Sequence, residues 1–143
     1  MSTFPILASN LRQNGYVVIH NRPCKIIQNS ASRNKCHIVA RDIFTGDKLE
    51  ATVAQDASMD VPQILRTEYD FSYTDDGMLY LIDSDGGEKN DVRLPSGELG
   101  DRINDYEQTG TTVIITVISA MGEEAAIAVR EKAQEAISDS EFS

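Results

Sequence analysis

Two cations and three polar side chains lie within six residues of one another, where they could contact phosphate groups. Arg33 and Lys35 flank Asn34, and Ser30 and Ser32 precede them. Guanidinium and ammonium groups are charge-assisted donors to phosphate, and hydroxyl and amide groups add neutral hydrogen bonds. Ser32, Arg33, Asn34 and Lys35 are therefore candidate contacts. Basic residues are also common in solvated turns, and spacing alone leaves both interpretations open.

A β-hairpin is predicted to carry these side chains at its tip, which we define as Ser30 to Lys35. The flanking segments, Cys24 to Gln28 and Cys36 to Asp42, contain the apolar pairs Ile26–Ile27 and Ile38–Val39 that are typical of strands. Four further cations lie before or within these strands and are candidates for supporting positive charge: Arg12, Arg22, Lys25 and Arg41.

Charge is distributed unevenly along the 143 residues, whose formal net charge is -10. Residues 1–66 contain 8 Lys and Arg against 5 Asp and Glu, whereas residues 67–143 contain 5 against 18. The first part can face a polyanion while the second keeps the molecule soluble. No apolar run is long enough to cross a bilayer, and the N-terminus lacks the pattern of a signal peptide. We expect a cytoplasmic protein whose Cys24 and Cys36 are free thiols.

The pattern of short strands predicts a mostly β protein with two domains, residues 1–66 and 67–143, joined by a hinge at Pro62 to Arg66. Five short strands and their turns predict an SH3-like barrel in the first domain. The second domain shows three strands, then a helix over Glu98 to Gln108, and then a buried strand over Val113 to Ile118. This is the order of an OB-fold barrel. Ser96 is the predicted N-cap of this helix, and Leu99, Ile103 and Tyr106 lie on one face of it. A C-terminal helix is predicted from Gly122 to Ile137.

Catalytic and metal-binding patterns have little support. Asp83, Asp85 and Glu88 lack the spacing of a calcium loop and are better explained by a turn. The two cysteines and two histidines lack the close pairs of a zinc site. No phosphate-binding glycine loop or nucleophile motif occurs, so we expect no enzyme activity, cofactor or metal. Four aromatic residues on the predicted OB strands either pack in the core or stack on bases: Tyr69, Phe71, Tyr73 and Tyr80.

Several segments resemble, in one order, the eukaryotic translation factor 5A family. The resemblance extends over nearly the whole chain, from Thr3 to about Lys132. The segments are Thr3 to Pro5, Leu11 to Ile19, Arg22 to Ile26, Asp42 to Gly46, Met59 to Pro62, Arg93 to Pro95, and Ser119 to Ala126.

The resemblance implies an SH3-like domain followed by an OB domain, in a cytosolic factor that is not an enzyme. It implies binding to the ribosome beside the peptidyl-tRNA, where such factors promote peptide-bond formation and termination. It also implies hypusine, a lysine lengthened by an aminobutyl group from spermidine, at the hairpin tip, and partner enzymes that form it. We expect no membrane association and a monomer or weak homodimer.

The hairpin tip departs from the family pattern. The family reads Ser-Thr-Ser-Lys-Thr-Gly-Lys-His-Gly-His-Ala-Lys here, and the modified lysine lies between Gly and His. Six of these residues are missing in this chain. Arg33 matches the first lysine of the loop and Lys35 the lysine that begins the returning strand, so Lys35 is the only modification candidate near that position. The shorter loop reduces the reach of the hairpin by about 10 Å.

Three interpretations of the short tip stay open. The natural chain could carry further tip residues, or the protein could be a short-loop relative that binds ribosomes or RNA without hypusine. A third possibility is a structural role, as in the self-assembling fungal relative of the Woronin body. That relative ends in a peroxisomal signal, whereas this chain ends Glu141-Phe142-Ser143, which weighs against the third interpretation.

Overall fold

The computed structural model describes residues 3 to 133. The chain divides into two compact units, one of Met1–Leu65 with Ser119–Glu124 and one of Arg66–Ile118 with Ala125–Ser143. The sequence predicts a boundary between residues 66 and 67, and the division falls between Leu65 and Arg66. The inclusion of residues 119–124 in the first unit has no counterpart in the sequence prediction, because it depends on contacts distant in sequence.

Between residues 3 and 65, the first unit contains six strands and one short 3-10 helix. The elements are β1 (Thr3–Leu7), the 3-10 helix (Ala8–Asn10), β2 (Tyr16–Ile19), β3 (Arg22–Ser32), β4 (Lys35–Asp42), β5 (Lys48–Ala54) and β6 (Ser58–Pro62). Strands β2 to β5 form a four-stranded sheet in that order, and β1 pairs with β6. All these pairings are antiparallel.

Strict alternation along β4 sets which residues form the core of the first unit. Cys36, Ile38, Ala40 and Asp42 are buried, because successive side chains of a strand point to opposite faces. Cys36, Ile38 and Ala40 pack with Cys24, Ile26 and the other buried apolar residues of this unit. Both thiols are free, as predicted. Burial first, and then the charge of Asp42, raises the pKa of the Cys24 thiol to about 11.

The described part of the second unit contains five strands and one helix: β7 (Leu65–Asp75), β8 (Met78–Ile82), β9 (Glu88–Arg93), α1 (Glu98–Thr109), β10 (Val113–Ala120) and β11 (Glu123–Glu131). The five strands form one sheet in the order β11-β10-β7-β8-β9. The predicted order of three strands, a helix and a further strand is confirmed. Ile103 is buried in the core, and Leu99 and Tyr106 pack against it, so the predicted apolar face of α1 is also confirmed.

The predicted C-terminal helix is wrong. Residues Glu123–Glu131 form β11, and the remainder of the prediction, to Ile137, extends beyond the described residues. Met121 and Gly122 both have positive φ, 50° and 85°, which is the backbone of a tight hairpin turn. This turn returns the chain beside β10, where Ala126 and Val129 are buried. Sheet pairing therefore outweighs the helix propensity of the alanines.

The predicted cap of α1 also differs. Gly97, not Ser96, occupies the N-cap position, with φ 78° and no side-chain capping hydrogen bond. At the other end Gly110 adopts the left-handed conformation (φ 73°) that commonly ends a helix.

Candidate functional site

The hairpin of β3 and β4 is paired almost to its end. The register continues through Ala31 opposite Cys36 to Ser32 opposite Lys35. Only Arg33 and Asn34 remain in the turn, and Arg33 has a φ of 55°. The prediction that Ser30 to Lys35 forms a six-residue loop between the strands is therefore wrong. Four of these residues are paired in β3 and β4, and only two form the turn.

The turn is hydrogen-bonded to the residue that follows β5 and does not stand alone. The Gln55 side-chain amide donates to the Arg33 carbonyl oxygen at 2.7 Å, and its backbone N–H donates to the Asn34 carbonyl oxygen at 2.8 Å. Strand β5 pairs with β4 from Ala54 opposite Lys35 onward. The hairpin therefore ends level with β5, and two hydrogen bonds join its turn to Gln55.

All four predicted contact residues line one shallow groove on the hairpin tip. The groove has a volume of about 510 Å³ and is lined by Ser30, Ser32, Arg33, Asn34, Lys35, His37 and Thr52. His37 lies at its edge, with Nδ1 2.9 Å from the Thr52 hydroxyl and Nε2 3.0 Å from a Glu50 carboxylate oxygen. The groove thus offers two cations and several hydroxyl and amide groups, with one carboxylate nearby.

Arg22 does not supply free positive charge, contrary to the prediction. Its Nε lies 2.6 Å from the Asp42 carboxylate, and its Nη1 donates to Glu123. Asp42 is only 4% exposed and also accepts from the backbone N–H groups of Phe44 at 2.8 Å and Thr45 at 3.1 Å. All three charged groups belong to the first unit. Arg22 therefore neutralises buried and partly buried carboxylates.

Lys25 and Arg41 instead form part of a row of cations across the sheet. Lys25 lies opposite Arg41 on β3 and β4, and Arg41 lies opposite Lys48 on β4 and β5. All three are exposed. We name Lys25, Arg41 and Lys48 the basic row. Like charges directly opposite one another destabilise a sheet, so this arrangement has a cost for the fold and creates a local positive potential.

Sequence reasoning missed Lys48. The alternation of polar and apolar residues places it on the outer face of β5, but its position opposite Arg41 depends on the register between strands. Arg41 and Lys35 lie on the same outward face of β4, six residues apart, which is about 20 Å along a strand. The basic row and the tip groove therefore share one face of the hairpin.

Arg12 lies apart from both groups. It is exposed, and its guanidinium donates to the Ser9 carbonyl oxygen at 3.3 Å. It lines a second groove of about 370 Å³, together with Gln28, Asn29 and Gln55. This groove meets the hairpin beside the turn, so Arg12 supplies charge near the tip and not near the basic row.

Other candidate sites have structural explanations. Asp83 accepts from the N–H groups of Asp85 and Gly87, both at 2.8 Å, which confirms a turn at this position. Between residues 3 and 133, no group of three or more His, Cys, Asp or Glu is placed to hold a metal ion. No helix in the same range is long and apolar enough to cross a membrane.

Two family models together match most of the chain. The model described as "Translation initiation factor 5A-like, N-terminal" matches residues 1–57. The model described as "Eukaryotic elongation factor 5A hypusine, DNA-binding OB fold" matches residues 63–130. The two matches correspond in order to the first and second β units.

Curated relatives give the same assignment. The chain is 50% identical to eukaryotic translation initiation factor 5A-2 of Schizosaccharomyces pombe, over 90% of this chain and 80% of the relative. It is 47% identical to factor 5A-1 of Saccharomyces cerevisiae, over 93% and 88% respectively.

Solved structures agree. A translation initiation factor 5A family protein from Naegleria fowleri superposes with a TM-score of 0.84 at 32% identity, covering 90% of this chain and 98% of the other. Factor 5A from Methanococcus jannaschii, at 21% identity, shares the fold with a TM-score of 0.72 and coverage of 90% and 95%. The identity and coverage of these relatives, with both family models in order, show that this chain belongs to the eukaryotic translation factor 5A family.

Proposed function

We propose that this protein acts on the ribosome beside the peptidyl-tRNA, in the cytoplasm, through the outward face of its hairpin and without hypusine. It would promote peptide-bond formation and termination by holding the tRNA, without catalysing a reaction itself. The observation that carries the proposal is the two-residue turn of Arg33 and Asn34, which leaves no lysine in the loop.

Lys35 is a poor substrate for a lysine-modifying enzyme in this geometry. Its backbone lies between Ser32 on β3 and Ala54 on β5, and both are its register partners. An enzyme that draws a lysine into its active site requires a chain segment that can separate from its neighbours. Separation here would break the pairing of β4 on both sides, whereas a residue in a longer free loop would separate at little cost.

The modification state gives a first prediction. We expect the intact protein, purified from its native cells, to have the mass of the unmodified sequence, 15.8 kDa, apart from processing at its ends. Intact-mass spectrometry followed by peptide mapping across Lys35 measures this. An aminobutyl addition on Lys35, or additional residues in the tip, would contradict the unmodified mechanism and restore the hypusine mechanism of the family.

Phosphate contact is supported by the placement of the cations. The tip groove and the basic row are about 20 Å apart on one face. Duplex nucleic acid carries a phosphate about every 3.4 Å along each strand, so a face of this length spans several phosphates. Two groups of cations then set both position and orientation, which a single basic turn would not do.

Ribosome binding gives a second prediction. Replacing the basic row with serine (Lys25→Ser, Arg41→Ser, Lys48→Ser) is expected to weaken ribosome binding about ten- to a hundredfold at low salt. The slope of the logarithm of affinity against the logarithm of salt concentration should also become shallower by about two to three, which is about one for each lost phosphate contact. Co-sedimentation with purified ribosomes over a series of salt concentrations measures both quantities. The tip variant (Arg33→Ser, Lys35→Ser) should show a smaller loss of the same kind.

A matched control removes charge from the second unit. Arg93 and Arg102 are exposed there, and Arg93→Ser with Arg102→Ser should leave ribosome binding within about twofold of the original protein. The control removes two cations, as the tip variant does, so equal losses in these two variants would show that total charge alone matters. If the original protein fails to bind ribosomes at low salt, the proposal is wrong. Large salt-resistant assemblies in light scattering would instead support the structural role.

A further inference from the structure

Two tyrosines in the second unit form a stacked pair outside the core. Tyr73 on β7 lies opposite Tyr80 on β8, their ring centroids are 4.4 Å apart, and the ring planes differ by 8°. Tyr73 is 46% exposed. We name these two residues the tyrosine pair. By contrast, Tyr69 and Phe71 on the same strand pack against the hydrophobic core.

Alternation along β8 explains why the pair faces outward. Leu79 and Leu81, on either side of Tyr80, are buried in the core, so Tyr80 points to the opposite face of the sheet. Beside the pair lies a small groove of about 60 Å³, which is also lined by Ser72, Ile82 and Glu88. This is about the volume of two water molecules, enough for the head group of one side chain.

Carboxylates outnumber cations around the tyrosine pair, although Arg93 lies on the same face of the sheet, opposite Met78. Asp75, Asp76 and Glu88 are exposed beside it on β7, the following turn and β9. Desolvation, then Tyr80, and then the charges of Asp75 and Glu88 raise the pKa of Tyr73. The sequence from residue 67 onward carries 18 acidic against 5 basic residues. A phosphate brought to this surface would be repelled, whereas a cation would be attracted.

We propose that the tyrosine pair binds an arginine side chain from a basic protein segment. A guanidinium is planar, so it stacks on the face of Tyr73 while its N–H groups reach the carboxylates of Asp75 or Glu88. An ammonium satisfies the carboxylates but stacks less well. A nucleobase would also stack, but its phosphates would enter the negative field. Stacking and charge together therefore favour arginine.

This interaction surface is independent of the hairpin, because it lies on other strands of another unit and has a different ligand. A failure of ribosome binding through the basic row would leave it intact. An arginine-binding surface would give the acidic second unit a role of its own, which the function proposed for the hairpin does not.

The test compares two short peptides on the full chain, one of alternating arginine and glycine and one of alternating lysine and glycine. We expect the arginine peptide to bind about two- to fivefold more tightly, the size of one exposed cation–π contact. Tyr73→Ala should remove this difference, and Tyr73→Phe should keep it because the ring remains. Isothermal titration calorimetry at low salt measures the affinities, and circular dichroism checks the fold of each variant.

A charge variant tests the role of the carboxylates beside the tyrosine pair. Asp75→Asn with Glu88→Gln should weaken both peptides about equally. Asp105→Asn with Glu131→Gln, which removes two exposed carboxylates from elsewhere in the unit, should have less than half that effect on the logarithm of affinity. An arginine preference that survives Tyr73→Ala would overturn the proposal. Tighter binding of an oligouridylate than of the arginine peptide would also overturn it, in favour of base stacking.

Discussion

Asp42→Ala is expected to lower the free energy of unfolding of the first unit by about 2 to 4 kcal/mol, since it leaves buried hydrogen-bond donors unsatisfied. Asp42 is 4% exposed and holds the Arg22 guanidinium at 2.6 Å. Alanine would leave that guanidinium without its buried partner and the N–H groups of Phe44 and Thr45 without an acceptor. Urea denaturation followed by circular dichroism measures the change.

Asp47→Ala provides the control, because Asp47 lies in the turn that follows and is exposed. Surface substitutions of this kind change stability by about 0.5 kcal/mol or less. Asp42→Asn should fall between the two variants, since the amide can still accept from the backbone but carries no charge. If Asp42→Ala and Asp47→Ala are equally stable, the network around Arg22 does not stabilise the unit.

The same network predicts how stability depends on pH. Burial alone would raise the pKa of Asp42, but hydrogen bonds from Arg22, Phe44 and Thr45 outweigh it and lower the pKa from 3.8 to about 2. A carboxylate with a depressed pKa stabilises the fold above its unfolded pKa, and this stabilisation is lost as the pH falls toward the folded pKa. We expect about 2 kcal/mol to be lost between about pH 4 and pH 2. Asp42→Asn should lack this component.

Gly100→Ala is expected to destabilise the second unit by several kcal/mol, about 3 or more, through overpacking. A Cβ at Gly100 would lie 1.9 Å from the Pro95 carbonyl oxygen and 3.1 Å from its carbonyl carbon. Both atoms belong to the backbone, so relief requires α1 to move away from the segment before it. Helix propensity alone predicts the opposite sign, a stabilisation of about 1 kcal/mol.

Thermal unfolding monitored by circular dichroism distinguishes these two predictions by sign. Gln108→Ala in the same helix is the control, because Gln108 is exposed and the change should have an effect of about 0.5 kcal/mol or less. A Gly100→Ala protein as stable as the control would show that the approach between α1 and Pro95 is loose in solution.

Local pattern was sufficient to predict most of the fold. The apolar pairs that predict the two strands of the hairpin, and the helical spacing of Leu99, Ile103 and Tyr106, can both be read within a single element. The C-terminal helix prediction was wrong because β11 is alanine-rich, and its strand conformation depends on pairing with β10. A tertiary pairing of this kind outweighs local propensity.

The roles of the charged residues in the site were less predictable, because each depends on neighbours that are distant in the sequence. Arg22 looks like a free cation in the sequence, yet its partners Asp42 and Glu123 lie 20 and 101 positions away. Lys48 looks like an ordinary solvated residue, yet the register places it opposite Arg41. Only the pairing of distant strands shows which charges are neutralised and which accumulate.

The two-residue turn also bears on how the hairpin could have changed length in evolution. Since Ser32 and Lys35 are the last paired residues, residues can be added between them without disturbing the pairing below. Lengthening the loop fourfold costs about 1 kcal/mol of closure entropy, since each doubling costs about 0.6 kcal/mol. Stability therefore constrains the loop weakly. Insertions and deletions can therefore lengthen or shorten the loop with little effect on stability. Selection then acts on loop length through the binding partner that the hairpin can contact.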